Sequence, residues 1–140
     1  MTTKIFIVDD HPIVCDVLAA MFEGNPAFEV VGVASSIRGT LAAVERCGPD
    51  LMLIDLSLED GNGIHLVRAL RVLGVEARVL VVTGVQSRVV AAEAFSAGVA
   101  GYVLKEQSTK DLLTAIDAVA GGGTYVAPGV ASSWSAHLLN

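Results

Sequence analysis

Short apolar runs alternate along this chain with longer stretches of helical periodicity. Ile5-Phe6-Ile7-Val8 is a block of bulky and β-branched residues and predicts a buried strand. Asp9-Asp10-His11-Pro12 follows. Pro12 suits a first helical turn, where its missing N–H is no loss, and the aspartates suit the helix dipole. Ile13, Val17 and Met21, with Val14, Leu18 and Phe22 beside them, predict one apolar helical face, stopped by Gly24-Asn25-Pro26. Phe28 to Val33 predicts a second strand, and Ser35-Ser36 an N-cap for a helix carrying Ile37, Leu41 and Val44. After Gly48-Pro49, Leu51-Met52-Leu53-Ile54 is apolar throughout, as a strand covered on both faces must be, and it ends at Asp55. Gly61-Asn62-Gly63 is turn chemistry ahead of a third helix marked by Ile64, Val67, Leu70 and Leu73. Val79 to Val82 predicts a fourth strand ending at Thr83-Gly84, and Gln86 to Ala97 a fourth helix. Gly101 to Leu104 predicts a fifth strand ending at Lys105. Ser108 is placed to cap a fifth helix carrying Leu112, Leu113, Ile116 and Val119, which Gly121-Gly122-Gly123 terminates.

Strict alternation of five strands and five helices places the chain in the α/β class, as a doubly wound five-stranded parallel sheet with helices on both faces. Its 140 residues suit one domain. The pattern places that domain at 1–123 and leaves 124–140 as a tail or linker without strong periodicity. Hydrophobic residues make up 53% and charged residues 17% of the sequence, so some apolar surface is expected to serve a partner. The net charge of −6 argues against direct nucleic-acid binding by this segment and suits a cation site. Cys15 and Cys47 lack metal-type spacing and read as small apolar residues. Met1-Thr2-Thr3-Lys4 runs straight into a strand with no secretory pattern, and no apolar run is long enough to span a bilayer. The expected address is a reducing cytoplasm, away from membranes.

The polar residues that interrupt this pattern collect in one kind of place. Asp9 and Asp10 follow the first strand, Asp55 the third, Thr83 the fourth and Lys105 the fifth. With strand order 2-1-3-4-5, strands one and three flank the point where the order reverses, which is where doubly wound sheets build their sites. Three close carboxylates repel one another unless a cation joins them, and oxygen ligands with open positions suit Mg²⁺. Lys105 adds a fixed positive charge and Thr83 a hydroxyl donor. Carboxylate, magnesium, lysine and hydroxyl together make a site for phosphoryl transfer, with Asp55 as the central acceptor. Taken singly, each residue has a plainer use: Asp9 and Asp10 as helix N-terminal acids, Asp55 as a loop residue, Thr83 as a turn hydroxyl, Lys105 as a solvated lysine. His11 is read as a loop residue rather than a metal ligand or base.

The set Val8-Asp9-Asp10-His11-Pro12, Pro49-Asp50-Leu51-Met52-Leu53-Ile54-Asp55-Leu56, Val81-Val82-Thr83-Gly84 and Gly98-Val99-Ala100-Gly101-Tyr102-Val103-Leu104-Lys105 resembles the receiver domains of two-component response regulators, over Lys4 to about Pro128. The Asp-Asp-His-Pro start, the Gly-Tyr-Val-Leu-Lys strand and Tyr125-Val126-Ala127-Pro128 are most similar to receivers that precede a LuxR-type helix-turn-helix domain. The resemblance implies the flavodoxin-like receiver fold and a phosphoprotein that is a regulatory module rather than an enzyme. It implies that Asp55 accepts a phosphoryl group from a sensor histidine kinase. Asp10, Asp55 and the Ser57 backbone carbonyl would bind Mg²⁺, with Asp9 acting through a water. Thr83 and Lys105 would hold phosphoryl oxygens, and Tyr102 would be a switch aromatic that moves inward as Thr83 shifts. Ser57 and Val85 sit where the family tunes acyl-phosphate lifetime. Glu59 stands where the family usually has proline, so a looser loop and added negative charge are expected there. Glu106 replaces the proline common after the lysine.

Output is expected through homodimerisation, on helix four–strand five–helix five or on helix one–helix five. The chain ends at Asn140, before a helix-turn-helix pattern fits. The tail favours the N-terminal part of a DNA-binding transcription regulator over a stand-alone receiver working by protein contacts. A flavodoxin-like electron carrier would want Ser, Thr and Gly in the first loop, where Asp9 and Asp10 repel a phosphate. An aspartyl phosphatase would want its nucleophile after the first strand and an acid at position 11, which is His.

Overall fold

The structure is a computed structural model and describes residues 2–130. Its main sheet is built from β1 (Thr3–Val8), β2 (Phe28–Ala34), β3 (Leu51–Ile54), β6 (Arg78–Thr83), β7 (Gly101–Leu104) and β8 (Tyr125–Val126), in the order β2-β1-β3-β6-β7-β8. All its ladders are parallel. A separate two-stranded antiparallel ladder joins β4 (Ser57–Leu58) to β5 (Gly61–Asn62). The helices are α1 (Pro12–Phe22), α2 (Ile37–Cys47), α3 (Gly63–Val72), α4 (Arg88–Ser96) and α5 (Thr109–Ala120). The five expected strands occur in the expected order, and β8 is a sixth. It pairs Gly101 with Tyr125 and Tyr102 with Val126, while Ala127 and Val130 are buried behind it. The packed core therefore continues past residue 123. Two paired residues are too short to show a period, which is why this segment read as a tail. The remainder of the expected tail, 131–140, lies outside the described residues.

The strands are apolar throughout because they serve two cores. Ile5 and Ile7, Leu51 and Leu53, and Leu80 and Val82 face α1 and α5. Phe6 and Val8, Met52 and Ile54, and Val79 and Val81 face α2, α3 and α4. This is the period-two alternation of a strand, with both sides dry. Asp50 fixes the register at the end remote from the acidic residues. Its carboxylate accepts from the Lys4 N–H at 2.8 Å, its own N–H donates to the Lys4 carbonyl, and its carbonyl accepts from the Arg78 N–H.

Helix ends follow the expected caps. Ser36 Oγ accepts from the Gly39 N–H, Ser108 Oγ from the Asp111 N–H, and Gly48 closes α2 at φ 55°. Helix four starts at Arg88, capped by Ser87. The α1 face differs from expectation. Cys15, Leu18 and Phe22 are buried, whereas Ile13 and Val17 are 77% and 54% exposed. The helix is apolar nearly all round, so periodicity alone did not select a stripe; the seat on β1 and β2 did.

The loop after Asp55 is held rather than loose. Ser35 Oγ donates to Glu59 Oε1 at 2.9 Å, and the Asp60 carboxylate accepts from the N–H groups of Ile37 and Arg38 at 2.7 and 3.0 Å. The β4–β5 hairpin thus caps the start of α2 from outside. The N–H groups of Ile37 and then Arg38 hold the Asp60 carboxyl below the usual carboxylate range. The folded chain therefore binds that proton more weakly than the unfolded chain. Its stabilisation is complete above the ordinary carboxylate pKa and is lost as pH falls through the lowered one. Asp60→Ala is expected to melt at a lower temperature than the native chain at about pH 7, with the gap closing towards about pH 2. Thermal melts across that range check it; a gap that stays constant over the whole range contradicts the assigned cause.

Candidate functional site

Each polar residue singled out above stands at the carboxyl end of a parallel strand. Asp9 follows β1 and hydrogen-bonds through its N–H to the Ala34 carbonyl of β2. Asp55 follows β3, with its N–H on the Val8 carbonyl of β1. Thr83 ends β6, and Lys105 follows β7 with its N–H on the Thr83 carbonyl. The ladder that aligns the strands therefore also aligns the side chains. Asp9 and Asp55 are each 3% exposed and Thr83 1%.

Lys105 Nζ lies 2.9 Å from Asp55 Oδ2 and 3.0 Å from Asp9 Oδ2. Burial by itself would lower this ammonium's pKa, but the hydrogen bonds and charges of Asp55 and Asp9 outweigh it and hold it above the usual lysine value. Thr83 Oγ1 accepts from the Val85 N–H at 3.3 Å, which leaves the hydroxyl proton to donate. The Val85 carbonyl in turn accepts from the Tyr102 phenol at 2.5 Å. Burial first, and the Asp55 charge second, push that phenol up to about 12, so it stays a donor. The Tyr102 ring, expected to move inward, already lies fully inside in this structure. Ser57 lines the same cleft, with its N–H 3.4 Å from Asp55 Oδ1.

Asp10 is the third carboxylate. Its Oδ1 is buried and makes no hydrogen bond, although His11 Nδ1 lies 3.0 Å away at an angle that does not make one. An orphaned carboxylate oxygen facing two more carboxylates is the donor set a hard divalent cation takes, so these residues fit Mg²⁺.

Two contributors escaped the sequence reading. His11 reaches over the carboxylates, with Nδ1 2.8 Å from Asp9 Oδ1 and 3.8 Å from Asp55 Oδ2. Its place between the second aspartate and the proline that starts α1 was the available signal. Gly63 is the other. A Cβ there would overlap the main-chain carbonyl oxygen of Asp55 and come within 3.0 Å of Leu56 Cα. Close approach of α3 to the Asp55 strand end needs a residue without a side chain, and no sequence pattern announces that.

The family model of the response regulator receiver domain matches residues 5–117. The chain is 34% identical over 127 residues to the transcriptional regulatory protein MctR of Rhizobium johnstonii, across 91% of this chain and 59% of that protein. It is 34% identical over 135 residues to the DNA-binding transcriptional activator DevR/DosR of Mycobacterium tuberculosis, across 96% and 62% respectively. The chain thus spans about three fifths of the length of these relatives. A crystal structure of a LuxR-family two-component response regulator from Aurantimonas sp. SI85-9A1 superposes with a TM-score of 0.92 at 31% identity, covering 100% of both chains. Among the described residues no helix is long and apolar enough to cross a membrane.

Proposed function

The chain belongs to the response regulator receiver domain family, and from that premise we propose that it is a cytoplasmic phosphorylation switch with Asp55 as phosphoacceptor and a sensor histidine kinase as donor. The observation that carries the assignment is the meeting of Asp9, Asp10, Asp55 and Lys105 at one sheet edge, with Asp55 central and buried. An Asp55 carboxylate oxygen forms the new O–P bond while the donor's N–P bond breaks, and the released histidine nitrogen takes a proton from water. Mg²⁺ held by Asp10, Asp55 and the Ser57 carbonyl, and by Asp9 through water, would neutralise charge on the phosphoryl oxygens. Lys105 is already paired with an Asp55 carboxylate oxygen and follows the new charge. The domain is a regulatory module, not an enzyme with a turnover substrate.

The switch runs through Val85. Its N–H is on the Thr83 hydroxyl and its carbonyl on the Tyr102 phenol, so a Thr83 hydroxyl that turns to donate to a phosphoryl oxygen pulls on both. The output is dimerisation, on α4–β7–α5, where Val89 is 71% exposed, or on α1–α5, where Ile13 and Val17 are exposed. In the whole protein the receiver regulates transcription by DNA binding, the activity in the name of its relative DevR/DosR, a DNA-binding transcriptional activator.

Acetyl phosphate with Mg²⁺ is expected to give one phosphoryl adduct by intact mass and a rise in dimer by analytical ultracentrifugation. Lys105→Ala is expected to keep or gain Mg²⁺ affinity, because the ammonium competes with a cation for Asp9 and Asp55, while the dimer response is lost. A failure to take up phosphoryl, or a Mg²⁺ affinity that falls together with the dimer response, overturns the assignment.

A further inference from the structure

We propose that the His11 imidazole is a fourth donor of the cation site, so that the site gains affinity for divalent ions in the order in which they accept imidazole, little for Mg²⁺, modestly for Mn²⁺ and most for Co²⁺. The proposal rests on reading the acidic rim as the magnesium site. One ligand atom each from Asp9, Asp10, His11 and Asp55 lies within 4.8 Å of the others. Bonds of about 2.1 Å to a six-coordinate ion put neighbouring donors roughly 3 Å apart and opposite donors roughly 4.2 Å apart. The four atoms therefore stand only slightly outside the envelope of a single ion.

The hydrogen bonds around Nδ1 do not close without one. Nδ1 is 2.8 Å from Asp9 Oδ1, 3.0 Å from Asp10 Oδ1 and 3.3 Å from Lys105 Nζ. With a hydrogen on it, Nδ1 donates to Asp9, leaves Asp10 Oδ1 orphaned and turns an N–H towards the ammonium. Without one, it accepts from Lys105 and sets its lone pair against two carboxylate oxygens. A metal ion that takes the Nδ1 lone pair and Asp10 Oδ1 directly, and reaches Asp9 Oδ1 through a bound water, satisfies all three.

The ring is also held in place cheaply. His11 is the N-cap of α1 ahead of Pro12, and its own N–H donates to Asp9 Oδ1 at 2.9 Å. The ring is 57% exposed, so an ion reaches it from solvent. Imidazole adds little to Mg²⁺ and progressively more to Mn²⁺ and Co²⁺.

Calorimetric titrations of the native chain and of His11→Gln with MgCl₂ and with CoCl₂ test this, alongside pulsed EPR of the Mn²⁺-loaded native chain. Co²⁺ affinity is expected to fall about tenfold in the variant while Mg²⁺ affinity stays within about twofold. The native Mn²⁺ spectrum should show coupling to an imidazole nitrogen. An unchanged Co²⁺-to-Mg²⁺ ratio, or a native spectrum without that coupling, overturns the role of His11 and leaves the magnesium site standing. Mg²⁺ binding that is absent, or that survives Asp10→Asn with Asp55→Asn, overturns the site itself. The EPR arm needs no variant, so misfolding of His11→Gln does not shelter the proposal.

Discussion

Asp55→Asn takes up no phosphoryl group under conditions that label the native chain fully. The amide nitrogen and oxygen are poor nucleophiles, and the substitution also removes the charge that Lys105 meets at 2.9 Å. Lys105 retains Asp9 at 3.0 Å, so the rim keeps its ammonium and the fold its geometry. Stability should move the other way from activity. Three carboxylates at this rim face one ammonium and one histidine, so neutralising the buried central one relieves repulsion. Without metal, the variant is expected to unfold at or above the native midpoint. Intact mass and thermal melts read the two effects separately. Equal labelling of the variant would place the acceptor on another residue and end the assignment of Asp55.

Gly63→Ala sets two effects of known size against each other. Alanine in the first turn of α3 gains up to about 1 kcal/mol of helix propensity over glycine. The added methyl, however, would overlap the Asp55 carbonyl oxygen and press on Leu56 Cα. Neither atom belongs to a side chain that can rotate away, and the Gly63 N–H is tied to the Leu56 carbonyl at 2.8 Å. Overpacking costs about 1–3 kcal/mol, with backbone contacts at the upper end. The clash wins, and a net loss of about 2 kcal/mol is expected in urea unfolding, together with slower phosphorylation as the Asp55–Leu56 backbone shifts. A variant as stable as the native chain, labelled at the native rate, would show that the approach of α3 is not constrained there.

The acidic rim was legible before any coordinates because parallel strands put all their carboxyl ends on one side. Once the apolar runs ending at Val8, Ile54, Val82 and Leu104 were read as strands of one sheet, Asp9, Asp55, Thr83 and Lys105 had to share an edge. The hairpin after Asp55 was not legible. Glu59 reads in sequence as added charge in a looser loop, and the hydrogen bonds of Glu59 and Asp60 to Ser35, Ile37 and Arg38 cross more than twenty positions of chain.

What the order of residues determined by itself was the class of fold, the sequence of strands and the carboxylates, hydroxyl and lysine that gather beyond them. Those follow from local periodicity and from the single hand of strand–helix–strand connections. Tertiary packing alone decided which stripe of α1 is dry, that Tyr125–Val126 closes the sheet, that Tyr102 rests inside, and that the His11 ring turns over the acids. Each of these depends on which of several chemically similar surfaces meets a neighbour distant in the chain, and contact energies of that kind leave no period in the sequence.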